Sequence, residues 1–189
     1  MNTTPPAFPR LETERLILRE MKSNDKEDIF QSFSDENVTK YFSMNPFTSV
    51  KDSEKIIKRA QDLFEQGKGI QWGIVTKEGS NLIGTCGFET WRKESFRGEI
   101  GYDLRQSHWG KGFMSEALQA IIQYGFEHMG LNRIEATTRS DNTRSINMLY
   151  RLGFKMEGIL RERVYWEGTF YDQVFVSLLK KEWIQRTFQ

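Results

Sequence analysis

The sequence predicts a mixed α/β fold: one twisted, mostly antiparallel sheet of about seven strands, with a single parallel pair and helices on both faces. Three observations carry this. Between Ile70 and Leu104, the β-patterned runs QWGIVTK, LIGTCGFETW and FRGEIGYDL are separated only by polar breaks at EGSN and RKES, the pattern of a meander. From Gly98 to Arg139 a strand, a long helix and a second strand follow one another, which is what a parallel crossover needs. The chain then closes with two β runs around Glu167-Gly168, an antiparallel hairpin.

A chain of 189 residues suits one domain with a substantial core, placed here at 10–189. The first nine residues are expected to be a flexible lead-in, because MNTTPPAFPR carries three prolines and no charged-then-apolar export pattern. Basic and acidic residues, 27 and 26, nearly cancel, so no global basic footprint for nucleic acid exists. The lone Cys86 cannot form an internal disulfide, and no apolar run approaches the ~20 residues of a membrane span. A cytoplasmic protein without membrane attachment is expected, either a monomer or a homodimer.

Taken in order, LETERLILRE reads as the first strand. A short helix follows, with Ser23 or Asn24 as its cap and Ile29, Phe30 and Phe33 at helical spacing. Tyr41, Phe42, Met44 and Phe47 crowd around Pro46 in a loop, after which Thr48 or Ser49 caps a helix that Gly67 ends. Past the meander, Phe113, Met114, Ala117, Leu118, Ile121, Ile122, Phe126 and Met129 form a helical apolar stripe that Gly130 closes. LNRIEATTRS is the next strand, and DNTRSINMLYRLG a short helix capped by Asp141 or Asn142.

The stretch GEIGYDLRQSHWGKGFM stands out, because a strand runs into a turn with two glycines, Gly110 and Gly112, that opens a long helix. Glycines can turn backbone N–H groups outward at positive φ, and a helix N-terminus adds unpaired N–H groups and partial positive charge. Such a turn can hold a phosphate or pyrophosphate, or it can be simply a tight strand-to-helix turn. Lys111 either adds a point charge or sits in solvent. Neither G-x-x-x-x-G-K-[ST] nor G-x-G-x-x-G is present.

The segment SHWGKGFMSEAL resembles the [QR]-x-x-G-x-[GA] turn of the GNAT N-acetyltransferase superfamily, with Ser107 where that pattern has Gln or Arg. LETERLILRE, EIGYDL, DNTRSINMLYRLGFKMEG and YDQVFVSLL resemble, in the same order, segments of its Rim-type branch, the ribosomal-protein N-terminal acetyltransferases RimJ and RimL. The resemblance covers about residues 10 to 180. It implies a GNAT-type sheet in which the strands near 99–104 and 133–139 splay apart, with acetyl-CoA as cosubstrate lying in the gap. Tyr102, Asp103 and Leu104 would meet its pantetheine through backbone. Trp109, Gly110, Lys111, Gly112, Phe113 and Met114 would hold its pyrophosphate, and Asn142 would touch it from the next loop.

The implied reaction is direct attack of a primary amine on a thioester. It needs a neutral amine, a stabilised oxyanion, and a proton or hydrogen bond for the departing thiolate. Glu99 is the candidate base, or else a strand carboxylate paired with Arg97. Ser145 is the candidate hydrogen-bond donor to the thiolate. The family's Tyr position falls on Leu149, and Tyr150 would point about 100° away around the helix. From family geometry, Phe42, Phe47, Tyr165, Trp166, Tyr171 and Asp172 would surround the acceptor, or else pack in core and hairpin. Two histidines and one cysteine offer no metal site, and none is expected. The acceptor implied by the resemblance is the N-terminal amine of a protein, of the ribosomal-protein type. A small amine such as an antibiotic, polyamine or amino acid is the alternative, and a non-catalytic acyl-CoA-binding module a further one.

Overall fold

The computed structural model describes residues 7–187. One eight-stranded sheet runs through it in the order β1-β2-β3-β4-β5-β6-β8-β7. Every neighbouring pair is antiparallel except β5 (Arg97–Leu104) with β6 (Arg133–Arg139).

The eighth strand arises where LETERLILRE breaks in two, β1 (Leu11–Glu12) and β2 (Leu16–Arg19). The Thr13 hydroxyl accepts from the Leu16 N–H and the Thr13 N–H donates to the Leu16 carbonyl, folding the segment into a hairpin. A second difference concerns α1 (Lys26–Phe33), where neither Ser23 nor Asn24 is the cap. Both lie in a 3-10 turn, and Asp25 is the cap position, its carboxylate held by Arg19 at 2.7 Å and by the Lys22 N–H. The lead-in divides as well. Residues 1–6 lie outside the described residues, whereas Phe8 packs on Phe64 and the Trp72 indole donates to the Pro9 carbonyl.

A four-residue helix, α2 (Glu36–Thr39), follows α1. Helix α3 (Val50–Glu65) starts at Ser49, whose hydroxyl accepts from the Lys51 N–H, and ends before Gly67 at φ +61°. Strands β3 (Ile70–Thr76), β4 (Leu82–Arg92) and β5 form the meander. Helix α4 (Phe113–Glu127) buries Met114, Ala117, Leu118, Ile121, Ile122 and Phe126, the stripe its spacing predicts. Helix α5 (Thr143–Arg151) is capped by Asn142, which accepts from the Ser145 N–H. The closing hairpin is β7 (Lys155–Trp166) and β8 (Thr169–Leu179), turning at Glu167 and Gly168, both at positive φ as a two-residue type I′ turn requires. A short α6 (Lys180–Thr187), not anticipated from sequence, ends the described chain.

Helices α4 and α5 lie over one face, closing the larger core around Trp72, Phe88, Leu118 and Phe126. Helices α1 and α3 cover the other, around Ile29, Phe33, Ile57 and Leu82. No helix among the described residues is long and apolar enough to cross a membrane.

Candidate active site

The parallel pair makes only three register contacts, Arg97 with Arg133, Gly98 with Ile134 and Glu99 with Glu135. Beyond Glu99 both strands continue without pairing, so a gap opens in mid-sheet. The Arg105 N–H donates to Ile83 on β4. Because backbone groups alternate along a strand, those of Asp103 also face β4, and those of Tyr102 and Leu104 face the gap. The backbone groups of Tyr102 and the N–H of Leu104 therefore open on the gap where contacts to a pantetheine are expected, whereas those of Asp103 are directed to β4.

At the end of the gap the Trp109 indole donates to the Leu104 carbonyl at 2.7 Å, and the Arg144 guanidinium lies 4.3 Å over the Trp109 ring. Gly110 and Gly112 sit at φ +76° and +80°, and a Cβ at Gly110 would meet nothing within 4 Å. No side chain caps α4. Its first N–H groups and the two glycines thus form an uncapped cradle that fits a pyrophosphate. Lys111 is exposed, but its carbonyl accepts from Arg15 Nη1 at 3.0 Å. Arg15 lies over the Phe113 ring and pairs with Glu116 at 2.7 Å, and Glu116 also accepts from the Arg15 N–H and the Thr13 hydroxyl. Burial opposes ionisation of Glu116, yet the bonds from Thr13 and Arg15 prevail and hold its carboxyl below the usual range. The turn is thereby tied to residues about a hundred positions earlier, a link that no local motif displays. Met114, expected at the pyrophosphate, has its side chain in the core, so it can contribute only backbone there.

Tyr102 and Ser145 meet across the gap, their hydroxyls sharing a hydrogen bond of 2.7 Å. Burial pushes the Tyr102 phenol up to about 12, with the Ser145 bond acting the other way, so it stays protonated and able to donate. Asn142 sits one turn before Ser145 as the α5 cap. Leu149 is fully buried and Tyr150 is exposed, as the helical count predicts.

On the opposite face, toward α1 and α3, the side chains of Glu99 and Asp103 share a wall with Glu89. Glu99 accepts from the Thr137 hydroxyl at 3.0 Å, not from Arg97, which pairs with Glu135. Asp103 is buried and accepts from Ser32 Oγ at 3.1 Å and from Thr85 Oγ1. Burial raises its carboxyl to about 6 against those two bonds, and the nearby Glu89 adds to the rise. A cavity of about 130 Å³ lies here, lined by Glu89, Asp103 and Tyr102 from the sheet and by Phe33, Phe42, Met44, Ile56, Arg59 and Leu63 from the elements that cover it.

A raised carboxyl stabilises the fold fully below its ordinary pKa near 4, and that contribution is lost as pH rises through about 6. Asp103→Asn is therefore expected to lose less stability between pH 5 and 7.5 than the parent protein, by about 1.4 kcal/mol. Denaturant unfolding at both pH values checks this, and an identical pH dependence would contradict the buried-carboxyl assignment.

Of the aromatics expected at the acceptor, Phe42 lines the cavity, while Phe47 stacks on Phe33 with ring centres 5.2 Å apart, behind the wall. Tyr165 packs on Phe170 at the hairpin tip, and neither it nor Trp166, Tyr171 or Asp172 lines the cavity. Tyr171 instead carries the Arg139 guanidinium, 3.4 Å above its ring, and Arg139 donates to the Lys40 carbonyl, so the hairpin is bound to the early loop. Asp172 accepts from the Glu162 N–H inside the hairpin. The sequence reading did not single out Glu89, Arg144, Arg15 or Glu116. Among the described residues there is no group of three or more possible ligands that could hold a metal ion.

Residues 15–155 match the family model described as an acetyltransferase (GNAT) domain. The chain is 46% identical to an uncharacterized N-acetyltransferase, p20, of Bacillus licheniformis, over 92% of this chain and 97% of the relative. It is 27% identical to the ribosomal protein uS5 alanine N-acetyltransferase of Escherichia coli, over 92% of each. A crystal structure of a GNAT-family acetyltransferase from Bacillus anthracis superposes with a TM-score of 0.82 at 26% identity, covering 92% of this chain and all of that one. A split sheet, an uncapped glycine turn at the head of α4 and a match over residues 15–155 agree: the chain belongs to the GNAT family of acetyltransferases and is an acyltransferase.

Proposed function

We propose that the protein transfers the acetyl group of acetyl-CoA to the N-terminal α-amine of a protein, with a ribosomal protein as the first candidate. The observation that carries this is the gap between β5 and β6, which has the uncapped turn at its end and the Glu99 side chain on the face toward α1 and α3. Acetyl-CoA supplies an activated acyl group. The turn from Trp109 to Met114 binds its pyrophosphate through backbone, and Tyr102 and Leu104 offer backbone groups to its pantetheine. Asn142 fixes the start of α5, and so places Ser145.

Glu99, held by Thr137, takes the proton of the acceptor nitrogen, directly or through one water. Ser145 donates to the departing sulfur, and its bond with Tyr102 lets the phenol replenish that donor. An α-amine with pKa about 7.8 costs well under ~1 kcal/mol to deprotonate near pH 7.4, whereas a lysine near 10.4 costs roughly 4 kcal/mol. A single carboxylate base suffices for the first. The kinship with the uS5 alanine acetyltransferase supports the same class of acceptor.

The test is thiol release from acetyl-CoA across N-terminal peptides, ribosomal proteins, polyamines and aminoglycosides. Saturable turnover on peptide or ribosomal N-termini is the expected result. Turnover confined to polyamines or aminoglycosides would assign a small-molecule acceptor, and acetyl-CoA binding without turnover on any would leave a binding module.

A further inference from the structure

The wall of the acceptor cavity holds two carboxylates for which the chemistry above has no role, Asp103, which is buried, and Glu89, which is open to solvent. Glu89 sits at a β-bulge, where the register of β4 on β5 jumps from Phe88 opposite Ile100 to Thr90 opposite Glu99. A bulge places one extra residue against the partner strand and re-aims its side chain. Here the extra residue is Glu89, and its side chain lies flat across β5, over Gly101. An added Cβ at Gly101 would come within 2.3 Å of Glu89 Oε1. The glycine therefore vacates the seat that the carboxylate occupies.

Around that seat the charges are uneven. Arg59 of α3, the one cation among the described residues of the cavity lining, reaches Glu89 only at 4.0 Å with its side chain 67% exposed, whereas Glu99 and Asp103 of β5 add negative charge from the same face of the sheet. Burial holds the Glu89 carboxyl above its usual range, Arg59 opposes this, and Glu99 adds to it. Opposite stands the apolar side of the cavity, formed by Phe33, Phe42, Met44, Ile56 and Leu63. One wall thus favours a cation, and the other a residue-sized apolar group.

We propose that Glu89 is the specificity-determining residue of the acceptor site, receiving the acceptor as its ammonium ion and rejecting amines that carry a carboxylate next to the nitrogen. The proposal rests on the acetyltransferase reading above and narrows its acceptor. A peptide N-terminus, whose neighbouring carbonyl is a neutral amide, is accepted. A free amino acid places its own carboxylate against three others and is excluded. Glu89 binds the cation, and Glu99 later takes the proton.

The experiment compares binding of Ala-Ala-Ala amide and of free alanine by calorimetry, with acetyl-CoA affinity measured on the same samples. Three variants are used: Glu89→Gln, Gly101→Ala and the surface control Glu94→Gln. The parent protein is expected to bind the peptide amide at least tenfold more tightly than free alanine. Glu89→Gln should weaken peptide binding about tenfold and narrow the preference over alanine, with acetyl-CoA affinity unchanged. Gly101→Ala should do the same by displacing the untouched carboxylate, since its methyl meets only a flexible side chain. Glu94→Gln should match the parent.

A preference left intact in both Glu89→Gln and Gly101→Ala overturns the proposal, and so does a parent protein that binds acetyl-CoA but neither probe. Failure to bind acetyl-CoA would instead remove the transferase reading itself. A merely structural glutamate would weaken both probes alike and leave their ratio unmoved.

Discussion

Gly110→Ala is expected to reduce acetyl-CoA affinity about a hundredfold while costing only about 1–2 kcal/mol of fold stability. The two effects have separate origins. At φ +76° any residue with a Cβ pays a backbone penalty, but within the protein that Cβ meets nothing within 4 Å. A stability loss beyond the backbone term is therefore not expected. The open space is where a pyrophosphate must approach the N–H groups, and losing one or two charge-assisted hydrogen bonds at about 1.5–3 kcal/mol each gives the predicted factor. Gly168 supplies the control, at φ +79° with nothing within 4 Å of its added Cβ. Gly168→Ala should show the same stability loss by denaturant unfolding and no change in acetyl-CoA affinity by calorimetry. Equal affinities in the two variants would sink the cradle assignment.

Glu99→Gln is expected to lower turnover by about a hundredfold, within the usual range for loss of a general base, with acetyl-CoA affinity unaltered. The substitution preserves shape, and its amide oxygen still accepts from the Thr137 hydroxyl, so the wall should remain in place. Single-turnover rates across pH 6 to 9 test the assignment. With the base removed, the remaining rate should follow the fraction of acceptor already neutral, rising with pH up to the pKa of the amine. Parent-like rates would exclude Glu99 from proton transfer and direct attention to Asp103.

Much of the architecture was legible from periodicity. The apolar stripe of α4, helix starts narrowed to Thr48 or Ser49 and to Asp141 or Asn142, the Glu167-Gly168 turn and the meander all depend on residues close in sequence, where local spacing is informative. What escaped depends on relations between distant segments. The bulge that aims Glu89 is a register shift between two strands, invisible in either alone. Glu116 looks like any acid in a first helical turn until Thr13 and Arg15 arrive from 101 to 103 positions away. Tyr102 was assigned by its backbone, and its phenol acquires a role only because α5 brings Ser145 to 2.7 Å. The hairpin aromatics show the reverse. Tyr171 looked like acceptor wall, yet it serves as the platform for Arg139.

The three-rung pairing of β5 with β6 has a further consequence for how the molecule unfolds. A continuous ladder couples its strands into one cooperative block, but here the strands on either side of the seam share few rungs and rely on the core beneath α4 and α5 to move together. A ligand seated in the seam replaces the missing strand. The gap-facing amide protons of β5 beyond Glu99, those of Tyr102 and Leu104 among them, and the alternate ones of β6 beyond Glu135 that face the gap should therefore exchange faster than those of β4 in the free protein. They should slow most when the seam is filled, so that the acyl donor completes the sheet as well as supplying the reaction.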